Sequence, residues 1–427
     1  MATAPKPRPL FSNRDDCSAW FKSQRAMRDF VELRKELAKR SVTEQDAWEL
    51  GLEFLAYIGR NKSPHTFNRF RGEVERFILW SWFIRKLDLR ELRKQDLLDY
   101  ADFCWYPPAN WIALANHDRF VVRKGQMLTN SQWRPFRATL KENDEAATLN
   151  EREKAELATK RYRPSQQTLT AMFTAIVAFY KYLMNEELVG GNPAQLAKKD
   201  CRHFVKDAQV KSTKRLSEDQ WAFVIDCAER LANEDADFER NLFVIAALKT
   251  LFLRISELSE REDWSPEMSH FWEDSQGNWW LKVYGKGRKI RDVTVPTQFL
   301  GFLKRYRKSR SLSPLPSSSD NNPIIEKIRG RGGMSARHLR RLVQAVFDEA
   351  FIVMTAEKGF EDARKLSEAT THWLRHTGAS MEIERGRALK DLSEDLGHSS
   401  MATTDSIYVQ SETKKRAASG KSRGVKS

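Results

Sequence analysis

The sequence predicts a mainly α-helical fold with one small antiparallel β-hairpin in its second half, divided between two domains. Three observations carry that expectation. Apolar residues recur at helical spacing through most of the chain. One segment, WWLKVYGKGRKIRDVTVP at 279–296, instead alternates apolar and polar residues around a glycine-containing turn. The stretch CRHFVKDAQVKSTKR at 201–215 is polar, basic and without either period, as an interdomain linker is. A chain of 427 residues is also longer than one ordinary core accommodates.

Residues 1–41 read as an N-terminal extension, Pro-rich and then charged. The first helical domain is expected over 42–200. Ser63-Pro64 combines an N-cap with a proline at the first helical position, and Phe67, Phe70, Val74, Phe77 and Trp80 follow on one face. A second strong helix starts near Ser165, with Leu169, Met172, Phe173, Ile176, Tyr180 and Leu183 aligned, and stops at Gly190-Gly191-Asn192-Pro193. Residues 105–163 between them have mixed character and read as an insertion. After the linker, Ser217 and Gln220 form a capping-box pattern that opens a second domain over 216–412. The tail 413–427 is basic, and a free cationic tail is slightly favoured there over one that packs on a neighbouring protomer.

Lys and Arg number 73 against 58 Asp and Glu, a formal net charge of +15, which points to a polyanionic partner such as nucleic acid. Cys17, Cys104, Cys201 and Cys227 lie far apart, so neither a zinc site nor a disulfide framework is expected. The first twenty residues lack the apolar core of a signal peptide, and no apolar run approaches membrane-spanning length. A cytoplasmic protein that does not engage a membrane is the expectation.

Four short segments of the second half carry chemistry. In LRISEL, Arg254 and Glu257 are three apart and share a helical face. A surface ion pair is the bland reading, but the preceding apolar run LFVIAA places Arg254 beside a buried segment, where a charge needs a reason. In GKGRKIR, Lys286, Arg288, Lys289 and Arg291 lie on the hairpin, where they suit a phosphate backbone or simply a solvated turn. In HWLRHT, His372 and Arg375 could converge on one anion. The same spacing at His338 and Arg341 in an ordinary basic helix shows how little an isolated match means. In LGHSS and TTDSIY stand His398 and Tyr408. A lone histidine after glycine is more often a cap, and a lone tyrosine more often half-buried core.

Taken in order, however, LRISEL, GKGRKIRDVTVP, HWLRHT and LGHSS with TTDSIY resemble the active site of the tyrosine recombinase, or phage integrase, family. The resemblance covers roughly 213–412 and extends more loosely to 42–200, which is similar to the family's core-binding domain. It implies a two-domain clamp on double-stranded DNA, with the hairpin in the catalytic domain. It further implies Tyr408 as nucleophile, Arg254 and Arg375 on the scissile phosphate, and Lys286 as acid for the leaving 5′ oxygen. His372 would carry the tyrosine proton, His398 would be a further phosphate donor, and Glu257 would support from behind. Arg288, Lys289 and Arg291 would touch DNA. Two departures stand out: Leu253 replaces the glycine common before the first arginine, and the segment from His398 to Tyr408 is one residue longer than usual.

The same resemblance implies a site-specific recombinase acting through a 3′-phosphotyrosyl intermediate, without metal or cofactor. It would work as a homotetramer on two sites, with or without an accessory or partner recombinase. A mobile element or phage in a bacterial, nucleoid-associated setting is its expected context. The alternatives are a type IB topoisomerase-like relaxing enzyme and a DNA-binding protein that has lost catalysis.

Overall fold

The computed structural model describes residues 4–14, 44–140, 148–204, 214–285 and 289–398. The chain divides into two compact units, 1–209 and 210–427. No helix among the described residues is long and apolar enough to cross a membrane.

In the first unit, helices α1 (Glu44–Asn61), α2 (Pro64–Trp80) and α3 (Lys94–Trp105) precede α4 (Glu151–Arg161), α5 (Gln166–Asn185) and α6 (Pro193–Asp200). Ser63 caps α2, accepting from the Thr66 amide, with Pro64 at the first turn. The face read from the sequence is the buried one: Phe67, Val74, Phe77 and Trp80 of α2 meet Tyr100 of α3 and Phe173, Phe179 and Tyr180 of α5. Between α3 and α4 the chain forms β1 (Ile112–Ala113), parallel to β4 (Phe136–Arg137), and a hairpin of β2 (Phe120–Arg123) and β3 (Gln126–Thr129). Trp111, Trp133 and Phe136 from this stretch enter the same core, so the insertion is built into the unit.

Two boundaries differ from the sequence reading. Residues 4–14, expected to belong to an extension, lie within the first core, with Leu10 and Phe11 fully buried. The cause is Glu75, a buried carboxylate of α2 that accepts both the Leu10 and Phe11 amides and pairs with Arg119. Residues 202–204, read as the start of the linker, form a 3₁₀ turn in which His203 stacks on Trp105 and Phe204 packs edge-on against Phe173. Residues 205–213 lie outside the described residues.

The second unit starts with α7 (Glu218–Glu234), whose Ser217–Gln220 capping box forms in both directions at 3.1 Å. Helix α8 (Glu239–Thr250) is buried along its whole length from Asn241 to Leu248. A helix without a polar face survives only if it is covered on every side. Here α7, α10 (Thr297–Ser309), α11 (Ala336–Lys358) and α13 (Thr371–Glu384) surround it. Short α12 (Phe360–Glu368) packs on α11, and α14 (Leu389–Leu396) closes the described fold. The expected hairpin is present as β6 (Trp279–Tyr284) against β7 (Ile290–Val295), in register from Trp279↔Val295 to Tyr284↔Ile290. A third strand not anticipated from sequence, β5 (Phe271–Glu273), pairs with the other edge of β6.

Candidate active site

After α8 the chain reverses through Phe252, a non-glycine residue at φ +50°. That conformation costs roughly 1–3 kcal/mol. It persists because the ring is locked in a small cluster with Ala379, Ile383, Leu392 and Leu396, which also fastens α14 to α13. The reversal aims the Phe252 carbonyl inward and sets Arg254 as the N-cap of α9 (Ile255–Leu258).

Glu257, 1 % exposed, is the hub of the site. It accepts from the Arg254 amide at 2.8 Å and from Arg254 Nη1 at 3.1 Å. Arg291 of β7 reaches it in a fork, Nη1 at 2.8 Å and Nη2 at 3.1 Å. One buried carboxylate thus orients two guanidinium groups from two elements. Arg291 also donates Nε to the Asp395 carbonyl at 2.8 Å, which ties β7 to α14.

Arg375 arrives from α13 and is almost completely buried. Its Nη1 donates to the Phe252 carbonyl and its Nη2 to the Leu396 carbonyl, while Arg254 Nη1 approaches the same Leu396 oxygen at 3.4 Å. Arg375 Nη2 also faces His398 Nε2 at 3.3 Å. Arginine can only donate, so that nitrogen accepts, and the His398 proton sits on Nδ1. Gly397, at φ +60°, makes this possible: it terminates α14 in the left-handed region and turns His398 back toward Arg375. The packing is tight, since a Cβ on Gly397 would lie 2.9 Å from the Arg291 side chain.

Three guanidinium groups and Lys289, against the Glu257 and Glu394 carboxylates, leave a net of +2 around an open cleft of ≈270 Å³. Arg254, Lys289, Arg291, Gly397 and His398 are among the residues that line it. The titration behaviour reflects that excess. Burial, then the neighbouring Arg254 charge, lowers Arg375 to about 9. Partial burial together with Arg375 and Arg254 lowers His398 to about 4 and pushes His372 below its ordinary value. For Glu257, burial acts upward, but the Arg291 hydrogen bonds and charge outweigh it and keep the carboxyl low and ionised. A cleft of this kind is stabilised by an anion, and the more so as the anion's charge grows.

The structure therefore brings together Arg254, Glu257, Arg291, Arg375 and His398 from four separate stretches of sequence. His372 is exposed on the first turn of α13, its ring edge-to-face on His376 at 4.5 Å. Lys289 is exposed at the cleft rim. Lys286, Arg288 and Tyr408 lie outside the described residues. Arg291, expected to touch DNA, lines the cleft with a side chain 13 % exposed that is held by Glu257 and the Asp395 carbonyl. Sequence reading missed Asp395, 3 % exposed, which accepts the Thr294 amide at 3.1 Å, the Thr294 hydroxyl at 2.6 Å and a guanidinium hydrogen from Arg387. The signal was present: Asp395 sits between Leu392 and Leu396 on the apolar face of α14. The decoy pair His338 and Arg341 is exposed on α11, as an ordinary surface pair should be.

Comparison with known proteins agrees with this geometry. Residues 214–415 match the phage integrase family. The chain is 23% identical over 250 residues to tyrosine recombinase XerC of Lactobacillus delbrueckii subsp. bulgaricus, covering 57% of this chain and 72% of the relative. It is 24% identical over 247 residues to tyrosine recombinase XerC of Bacillus subtilis, covering 57% and 70%. Among solved structures, the XerH site-specific recombinase bound to palindromic difH substrate, a post-cleavage complex, superposes with a TM-score of 0.53. That match has 14% identity and covers 91% of this chain and 92% of that one. The Tn1549 transposon integrase in complex with transposon right end DNA gives a TM-score of 0.50 at 15% identity, covering 84% and 93%. The family match falls on the unit that holds the cationic cleft, so residues 214–415 are those that resemble the phage integrase family, the tyrosine recombinases.

Proposed function

We propose that this chain is a site-specific DNA recombinase that breaks and rejoins strands through a 3′-phosphotyrosyl intermediate on Tyr408. The observation that carries the reading is the cleft of net charge +2 formed by Arg254, Arg375 and Arg291 around Glu257, with His398 turned into it. A phosphodiester carries one negative charge and its pentacoordinate transition state two. A site with a fixed excess of two positive charges favours the latter.

The roles are those that the family resemblance implies, and the chemistry of the groups suits them. The Arg254 and Arg375 forks hold the non-bridging oxygens, and His398 donates from Nδ1. The phenolic oxygen of Tyr408 attacks phosphorus and gives up its proton; His372, whose pKa is lowered by partial burial and then by Arg375 and Arg254, is suited to receive it. The 5′ oxygen departs with a proton from Lys286. The new phosphotyrosyl bond keeps the energy of the broken diester, so a 5′-hydroxyl from a second duplex can attack it and release Tyr408. Two duplexes exchanged in this way call for four protomers, so a homotetramer on double-stranded DNA is part of the proposal. Lys289, at the rim, would touch the backbone.

A plasmid carrying two copies of the cognate site, sought in the DNA flanking the gene, tests this directly in EDTA. Wild type should yield recombined circles and Tyr408→Phe none. Relaxation of supercoils without exchange of the two sites would contradict the recombinase reading.

A further inference from the structure

Concentrated positive charge occurs a second time, in the first unit, where none of the active-site residues lies. Residues 4–14 run as a strap beside the β2–β3 hairpin, and between them is a cleft of ≈410 Å³. Lys6, Arg8, Arg123, Thr129 and Asn130 are among its lining residues.

Both walls are built rather than loose. In the strap, Pro7 and Pro9 are buried while Lys6 is exposed and Arg8 half-buried, so the prolines anchor and the cations face the cleft. Asn110 Nδ2 donates to the Ala4 carbonyl at 2.6 Å, Trp111 Nε1 to the Pro5 carbonyl at 3.0 Å, and Glu75 fastens Leu10 and Phe11. In the hairpin, Arg123 pairs with Gln126 across a two-residue turn, Lys124-Gly125, whose residues both have positive φ. Arg123 and Lys124 are therefore exposed at the tip of a fixed ribbon.

Among the described residues, neither Lys6 nor Arg123 forms an ion pair, and Glu151 is the acidic group that bears on Lys6 and Arg134. Partial burial, then Arg134, with Arg8 adding to it, holds the Lys6 ammonium below its usual value despite Glu151. Lys6 and Arg8 are two residues apart on an extended strap, or ~7 Å. Cations so spaced can reach the same or neighbouring phosphates of one DNA strand.

We propose that the strap–hairpin cleft is a second binding site for the phosphate backbone of duplex DNA, contacted by Lys6, Arg8, Arg123 and Lys124. The proposal rests on the DNA-recombinase reading above. It assigns a role to two stretches of the first unit that lie outside the matched family region.

The test uses the full chain and a linear mixed-sequence DNA duplex, with affinity measured by fluorescence anisotropy over a salt series. For Lys6→Gln/Arg123→Gln, the slope of log affinity against log salt should become shallower by roughly 2, from about 0.9 per lost phosphate contact. Lys304→Gln/Lys308→Gln, exposed on α10 and equal in charge change, should alter it less. Thermal unfolding reports whether the fold is intact, and Lys124→Gln, at an exposed turn, provides a milder variant with a change of about 1. Unchanged slopes in the cleft variants, while wild type binds, would overturn this site and leave the recombinase reading standing. Equal changes in both pairs would reduce the effect to net charge and overturn it too. A wild-type chain that binds no DNA would overturn both readings.

Discussion

A carboxylate as enclosed as Glu257 keeps its charge only because four donors from Arg254 and Arg291 converge on it. Replacing it with the isosteric Gln removes the charge, keeps the volume and leaves two guanidinium groups without their counter-ion. Glu257→Gln should lose about 3 kcal/mol of stability in thermal unfolding. Single-turnover cleavage should fall by roughly 10²-fold as the arginines shift. Cleavage at the wild-type rate would mean that Glu257 does not position them. The histidines make a separate prediction. His398 has its pKa lowered from 6.5 to about 4 by partial burial and then the arginine charges. Between those values the unfolded chain binds more protons than the folded one. The stability contributed by the neutral ring is therefore complete above about pH 6.5 and is lost as pH falls toward 4. His398→Asn should flatten the decline of melting temperature across that window; an unchanged profile would show that His398 does not titrate as described.

At the scale of elements, the site depends on how closely α13 approaches the end of α8. A Cβ on Gly378 would lie 2.0 Å from the Lys249 carbonyl and 3.0 Å from the Phe252 ring. Gly378→Ala must push the helices apart, and with them Arg375, one turn away. We expect a loss of about 3 kcal/mol or more, seen in thermal unfolding, with cleavage reduced in whatever remains folded. Helices of this length were legible in the sequence: α2, α5 and α7 carry their apolar period and caps plainly, and β6 and β7 alternate over six residues each. Short or distant features were not legible. Three-residue β5 and the two-residue strands β1 and β4 contain no period to detect. The direction of Arg291 is set by Glu257 and by a carbonyl 104 residues further along the chain, neither of which local pattern reveals. The same reason hid Asp395, whose partner Thr294 lies on the hairpin.

At the scale of the molecule, the described residues include a cationic cleft in each unit. Arg254, Arg375 and His398, each ordinary alone, pointed to chemistry only because their order resembles that of the tyrosine recombinase active site. The strap could not be foreseen, since Lys6 and Arg8 became part of a site only when Glu75 drew residues 10 and 11 into the core. If the cleft of the second unit performs strand cleavage, one covalent bond between Tyr408 and DNA must form there. The direct test is a nicked suicide substrate carrying the cognate site, incubated in EDTA with wild type or Tyr408→Phe and resolved on a denaturing gel. A protease-sensitive protein–DNA band is expected with wild type and should be absent from the variant. Tight binding to that DNA with no covalent band from wild type would contradict the strand-cleavage mechanism.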